Sequence, residues 1–229
     1  MSTASVLTVF HLLFLRNVLL FMNKSSSLNR CIFAALEHSW VYNLNQVFLG
    51  AGKKRHVYSF LQDLSFQSVL DIGCGPGEYA GLARSSYLGI DTSESFIKTC
   101  RARYAQDPTK VFIHADATTV TVPGRYDLAV LNSVLHHLTD EETTRLIAWV
   151  ARSARYLFVL DLHPVPWNPA SRCLYALDRG HYVRDVAAQK ALILQHPAMR
   201  LVKAGSAWSP NCIYRHSLFI FESVAAQGN

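Results

Sequence analysis

The chain is poor in paired cysteines, in long apolar runs and in charge. Its 229 residues include five cysteines, Cys31, Cys74, Cys100, Cys173 and Cys212. They are odd in number and widely spaced, with no C-x-x-C pair, which argues against zinc or dithiol chemistry and suits a reducing cytosol. Charged residues make up only 17% of the chain, and although the formal net charge is +6, Lys53-Lys54-Arg55 is the only basic run. Scattered basic residues describe a solvated basic face, so a nucleic-acid partner is disfavoured. No internal repeat or low-complexity tract is present. The longest apolar stretch, Val6 to Met22, has 17 residues and is interrupted by His11, Arg16 and Asn17. It lacks a basic n-region and an A-x-A site, which argues against a cleaved signal peptide. As a membrane span it sits at the lower length limit, and Arg16 would cost about 2.5–3.5 kcal/mol near its centre. Three readings stay open for residues 1–24: membrane association through residues 6–22, a helix packed on the domain, or a non-native extension ahead of a start at Met22. The expected location is cytoplasmic, with membrane association left open.

Half of the residues are hydrophobic, enough for one good core. The most informative stretch is Val69-Leu-Asp-Ile-Gly-Cys-Gly-Pro-Gly-Glu78, an apolar strand, an acid and a glycine-rich turn, with Asp91 spaced beyond it for a ribose. A dinucleotide fingerprint brings the backbone close to a pyrophosphate at a helix N-terminus. Here Gly73, Gly75 and Gly77 alternate, and Glu78 stands where the third fingerprint glycine belongs. A carboxylate at the head of that helix would repel a pyrophosphate. S-adenosylmethionine has no phosphate and a positive sulfonium, so it is favoured over NAD. Gly52-Lys53 is not a phosphate loop, because Val47 and Lys54 occupy its first glycine and its hydroxyl position.

From these residues onward the chain resembles the class I S-adenosylmethionine-dependent methyltransferases of the Rossmann-like, small-molecule type. Asp71-Ile-Gly-Cys-Gly-Pro-Gly77 is similar to their first motif, Gly89-Ile-Asp91 to the second and His114-Ala-Asp116-Ala117 to the third. Tyr126 to Glu142 resembles their fourth strand and the turn after it. The resemblance implies a doubly wound, mostly parallel seven-stranded α/β sheet with an antiparallel last strand, a helical N-terminal cap and a lid. The expected layout is an apolar segment over 1–24, a helical cap over 25–64 and the cofactor domain over 65–229, with the lid at about 163–184.

The strands are expected near Ser68–Ile72, Tyr87–Ile90, Val111–His114, Leu128–Leu131, Tyr156–Leu160, Arg200–Gly205 and Tyr214–Glu222, with helices between them. Helices are also expected over Lys54–Leu64 and Asp185–His196. Thr139-Asp-Glu-Glu142 has the spacing of a capping box. A turn at Ser153-Ala-Arg155 should precede the fifth strand, and the prolines of Asp161–Pro169 should end regular structure.

Ligands of open α/β sheets bind outside the carboxyl ends of the strands. Together with the resemblance, this implies that Asp71, Gly73, Cys74, Gly75 and Gly77 line the methionyl end of S-adenosylmethionine. Asp91 and Thr92 would meet the ribose, Asp116 and Ala117 the adenine, and Asn132 and His137 the remaining wall. Cys74 is small packing and not a nucleophile. Candidate general bases are His136, His163 and His216, with His181 arriving on the lid; Asp161 and His163 could instead pair with each other. No metal site is expected. Tyr42, Trp167, Tyr175, Tyr182, Trp208 and Tyr214, placed on caps and loops, could wall an apolar pocket. The expected activity is methyl transfer to a small-molecule acceptor such as a secondary metabolite, a quinone-like compound or a lipid-linked one. An RNA or protein methyltransferase and a non-methylating S-adenosylmethionine-binding protein or cyclase stay open. Against nucleic acid, Asn132-Ser-Val-Leu135 lacks the Asn-Pro-Pro-aromatic pattern of amino-methylating enzymes. Oligomeric state is not expressed in the sequence.

Overall fold

The structure is a computed structural model that describes residues 53–120, 122, 124–168, 171, 181–208 and 215–227. The apolar N-terminal segment, most of the expected cap and most of the expected lid lie outside the described residues. The chain divides into two compact units, Met1–Arg55 and His56–Asn229, and the architecture below is that of the second.

Short runs rich in valine, isoleucine and leucine, buried on both sides, form parallel strands because both faces of such a sheet are covered. They are β1 (Ser68–Ile72), β2 (Ser86–Asp91), β3 (Lys110–His114), β4 (Tyr126–Asn132) and β5 (Ala154–His163). β6 (Met199–Trp208) and β7 (Arg215–Ser223) complete the sheet, whose order is β3-β2-β1-β4-β5-β7-β6. β1 to β5 pair in parallel, and β7 runs antiparallel to both β5 and β6. This is the expected mixed sheet with one reversed strand.

Side chains alternate across a strand, so each strand feeds two cores. Leu70, Leu131, Val159 and Phe219 pack with α3 (Asp140–Ser153) and with Ile193 of α4 (Val186–Leu194). Val69, Val130, Phe158 and Ile220 pack with α2 (Glu94–Arg103) and with Val57 and Leu61 of α1, a helix over 53–61. Truncating a fully buried member such as Leu131 to alanine should cost about 2–5 kcal/mol. Asp127 fixes the β1–β4 register at the end away from the glycine loop. Its Oδ2 accepts from the Gln67 and Ser68 amides at 2.8 and 2.9 Å.

Four expectations need correction. Between β1 and β2 the described chain forms only a 3-10 turn, Ala80–Leu82, and between β3 and β4 no described residue is helical. Residues 73–85 are near the minimum for a parallel crossover, so little chain is left for a helix after the glycine turn. Glu78 therefore does not head an α-helix, and its repulsion of a phosphate cannot be argued from a helix dipole. Second, α3 passes directly into β5: Ala154 caps the helix in extended conformation and is the first strand residue. No turn at Ser153–Arg155 is needed. Third, β5 continues to His163, which places Asp161 and His163 in the sheet and starts the excursion at Pro164. Fourth, β6 runs to Trp208, so this tryptophan belongs to the sheet and not to a loop.

The capping box is formed. Thr139 Oγ1 accepts from the Glu142 amide, and the Glu142 carboxylate accepts from the Thr139 amide. Asp185 caps α4 through the Ala188 amide at 2.7 Å. Among the described residues no helix is long and apolar enough to cross a membrane.

Candidate active site

At the carboxyl end of β1 the chain must turn sharply, and the glycine loop does so with left-handed backbone. Gly73, Gly75 and Gly77 have φ of 71°, 51° and 74°. The Gly73 and Cys74 amides both donate to the Ile90 carbonyl, at 2.8 and 3.0 Å, which anchors the loop on β2. A Cβ on Gly73 would stand 2.6 Å from Val134 Cγ2, so glycine is required there for fit as well as for conformation. A Cβ on Gly75 would meet nothing within 4 Å, which leaves open space above the loop.

Two carboxylates flank that space. Asp91 ends β2, and its two oxygens accept from the Gly75 amide at 2.7 Å and the Ser93 amide at 2.8 Å. Each oxygen keeps a second lone pair, so two hydroxyls can still be accepted. The turn it makes also sets up Ser93 as the N-cap of α2. Asp91 thus acts as a strand-end cap while keeping acceptor capacity on both oxygens. Asp71 is fully buried and accepts from the Tyr87 hydroxyl at 2.7 Å through Oδ2, while its Oδ1 has no hydrogen-bond partner among the described residues. Burial, opposed by that hydrogen bond and reinforced by the Asp91 and Glu78 charges, pushes its carboxyl up to about 7. An orphaned buried acceptor of this kind calls for a donor, and a cation best of all. Tyr87 was not legible as a site residue, because it precedes the second motif and only the β1–β2 register brings it beside Asp71.

Cys74 is buried, and burial pushes its thiol far up, consistent with packing and not with nucleophilic attack. Thr92 is exposed just past β2, and its carbonyl lies 3.0 Å from His114 Nε2. Asp116 is exposed and spends Oδ1 on the Thr118 amide and hydroxyl, each at 2.8 Å, with Ala117 half-buried beside it. Asn132 ends β4. After it Ser133 adopts φ of 59°, the only positive value at a non-glycine position among the described residues. Strain of this kind clusters at functional turns, and here it directs Val134 onto Gly73.

The histidines are arranged differently from the sequence expectation. His136 and His137 lie on a 3-10 turn, Leu135–His137, with ring centroids 4.1 Å apart. His137 is exposed, while His136 is buried and its Nδ1 lies 2.5 Å from Asp161 Oδ1. The partner of Asp161 is therefore His136, not His163. His163 projects from the same face of β5 two residues on, and burial followed by the Arg215 charge holds its imidazole below the usual histidine range. His216 stands opposite Leu162, on the face of the sheet shared by Leu218 and Ile220, while Asp161 and His163 share the face of Val159. The three candidate bases do not converge on one crevice. His181 is exposed on the segment returning to α4.

That returning segment holds the histidine turn in place. The Tyr182 amide donates to the His136 carbonyl at 3.0 Å. Arg184 donates to the carbonyls of Leu135 and Leu138 at 2.8 and 2.7 Å and to Asp140 Oδ1 at 2.6 Å. Gln189 ties the same segment to the sheet through the Arg184 and Leu162 carbonyls and Ser217. Arg184 carried no signal in the sequence beyond lying in the expected lid. Of the aromatic residues, Trp167 and Trp208 meet edge to face at 5.9 Å, and Tyr182 is exposed; Tyr42, Tyr175 and Tyr214 lie outside the described residues.

Comparison with known proteins matches residues 69–156 to the family described as Methyltransferase domain. The chain is 32% identical over 127 residues to the ubiquinone biosynthesis O-methyltransferase of Bordetella parapertussis, covering 52% of this chain and 51% of that protein. It is 36% identical over 90 residues to the tRNA (carboxymethyluridine(34)-5-O)-methyltransferase of Macaca fascicularis, covering 38% of this chain and 13% of that one. The chain thus spans about half the length of the first of these relatives and far less of the second. Among solved structures, the magnesium protoporphyrin IX methyltransferase of Synechocystis PCC 6803, crystallised with S-adenosylhomocysteine, superposes with a TM-score of 0.59 at 20% identity. It covers 78% of this chain and 86% of its own. Residues 69–156 thus match a methyltransferase domain, and the seven-stranded fold that holds them is shared with solved methyltransferases.

Proposed function

We propose that this chain transfers the methyl group of S-adenosylmethionine to a nucleophilic oxygen or nitrogen of a small-molecule acceptor. The observation that carries the reading is the Asp91 carboxylate, held by the Gly75 and Ser93 amides at the rim of the glycine loop with acceptor capacity left on both oxygens. The residues fit the cofactor. Asp91 would hold the ribose hydroxyls, and the loop backbone would face the methionyl chain. The orphaned Asp71 Oδ1 provides a buried negative partner for its ammonium. Asp116 and Ala117 would hold the adenine, with Thr92, Asn132 and His137 completing the wall. When bound, the cofactor supplies a sulfonium-activated methyl group whose carbon–sulfur electrons leave with sulfur.

The protein's part is positioning and proton management. His136 is the base: in the tautomer whose Nδ1–H donates to Asp161, a proton from the acceptor is taken at Nε2. The Leu162 amide donates to the same Asp161 oxygen at 2.7 Å and fixes the carboxylate. As acceptor oxygen or nitrogen bonds to the methyl carbon, its proton passes to Nε2 and no charge is left on the product. Arg184 and Tyr182 hold the turn that aims the ring. A small acceptor is supported by the aromatic residues Trp167, Trp208 and Tyr182 beside this end of the sheet and by the likeness to the Bordetella O-methyltransferase of ubiquinone biosynthesis.

Incubation with methyl-labelled cofactor and a panel of phenols, catechols and amines tests the proposal. S-adenosylhomocysteine should accumulate in step with a methylated product, and Asp161→Asn should slow both equally. Cofactor consumption with no methylated acceptor would contradict transfer.

A further inference from the structure

β7 enters the sheet antiparallel to β5, and this brings three strand ends to one place. Arg215, the first residue of β7, stands opposite His163, the last of β5, and opposite Trp208, the last of β6. All three lie at the carboxyl end of β5, where His136 and Asp161 also lie. The Arg215 guanidinium sits 5.6 Å from the Trp208 ring centroid and donates through Nη2 to Ser206 Oγ at 2.8 Å. Its Nε is shielded from solvent and has no hydrogen-bond partner among the described residues, and no carboxylate pairs with it there. The other arginines near the sheet ends are used up: Arg184 on Asp140 and backbone carbonyls, Arg200 on Glu222. A half-buried guanidinium with an unmet N–H is costly unless something completes it. Beside it Trp167 is 74% exposed, with its ring edge-on to Trp208 at 5.9 Å.

Resting on the methyltransferase reading above, we propose that Arg215 and the Trp167–Trp208 pair form the acceptor subsite, and that it selects a flat aromatic acceptor bearing a carboxylate. The planar Nε–Nη2 edge of a guanidinium matches a carboxylate in two parallel hydrogen bonds. An incoming carboxylate that displaces the Ser206 hydroxyl supplies the missing partner for Nε. The tryptophan rings then give a flat apolar wall for the ring that carries it. His163 is the neighbouring titratable group on this face, and burial and the Arg215 charge hold its imidazole below the usual histidine range. Asp185, whose charge is felt at His163, is spent on capping α4.

The test is a titration of the full chain with 4-hydroxybenzoate and with 4-hydroxybenzamide, followed by ligand-observed NMR, with and without saturating S-adenosylhomocysteine. The acid should bind at least about tenfold tighter than the amide, as one bidentate charge-assisted pair requires. In Arg215→Gln the difference should close to within about twofold while S-adenosylhomocysteine affinity is unchanged. Trp208→Leu should weaken both probes alike and leave their ratio intact, so the proposal does not depend on one variant folding. Equal binding of acid and amide by the native chain, or a difference that survives Arg215→Gln, would overturn the subsite. Failure to bind S-adenosylhomocysteine would instead overturn the methyltransferase reading, and the acid–amide comparison made without it still decides the subsite.

Discussion

The two halves of the carboxyl edge are built in different ways. Over β1, β2 and β3 the site is made of backbone amides, left-handed glycines and carboxylates that lie within a few residues of one another in each motif. Over β4, β5 and β7 it is made of side chains brought together across longer stretches of sequence: His136 with Asp161, Arg184 with the histidine turn, and Arg215 opposite His163. On the proposed reading, the first half would recognise a constant molecule and can be rigid and local. The second would have to fit whatever receives the methyl group, with specificity set by the sheet register and by the return of the chain through α4.

If the halves are separable, substitutions should act on one and spare the other. The largest effect is expected for Asp161→Asn, which removes the negative charge beside His136 Nδ1 and sets an amide NH2 against the N–H groups that Asp161 accepts from. Turnover should fall by about 10²–10⁴-fold with S-adenosylhomocysteine affinity nearly unchanged, measured by steady-state kinetics beside calorimetry. Asp91→Ala should do the converse. Losing two charge-assisted hydrogen bonds to the ribose and the partner of the Gly75 amide should weaken S-adenosylhomocysteine on the order of 10²-fold.

Asp71 adds a pH signature to the cofactor half. Its carboxyl is raised in the folded protein from 3.8 to about 7, so the native state holds the proton more tightly than the unfolded chain does. Its contribution to stability is therefore greatest below pH 3.8, is lost as pH rises toward about 7 and is constant above that. Asp71→Asn should remove this decline and stabilise the ligand-free protein by about 2–4 kcal/mol at pH 8, with little effect near pH 4. Denaturant melts at the two pH values measure it. The same variant should bind S-adenosylhomocysteine more weakly, because it has no charge to offer.

Arg184→Ala should cost about 1–3 kcal/mol through the orphaned Leu135 and Leu138 carbonyls. It should lower turnover more than cofactor affinity, since the clamp holds His136 and not the glycine loop. Smallest is Tyr87→Phe, about 1 kcal/mol in stability, with the Asp71 carboxyl raised further by loss of its donor; a shifted pH midpoint in the same melts would show it.

The glycine turn and the strand ends over β1 and β2 were largely legible in the sequence because their determinants are local. A left-handed glycine and a strand-end acid are specified by neighbours a few residues away, and the strands they follow carry apolar runs. The errors there, no α-helix after Gly77 and none among the described residues between β3 and β4, came from chain length, since short crossovers leave little room for helical turns. On the other half, the candidate residues were visible but their grouping was not. Whether His136, His163 and His216 share a face depends on where β5 ends and on the β5–β7 register, and the prolines after His163 suggested an earlier end than the strand has. Tyr87, Arg184 and Arg215 left no trace because nothing in their immediate sequence marks them. Their roles arise from pairing across the sheet and from the return to α4.

One calorimetric titration tests the central claim most directly: S-adenosylhomocysteine, and NAD in parallel, into the native chain, Asp91→Ala and Asp161→Asn. The account predicts one-to-one binding of S-adenosylhomocysteine to the native chain and to Asp161→Asn with similar affinity, a loss on the order of 10²-fold in Asp91→Ala, and no binding of NAD. Binding of NAD, or S-adenosylhomocysteine binding that is indifferent to Asp91, would contradict it.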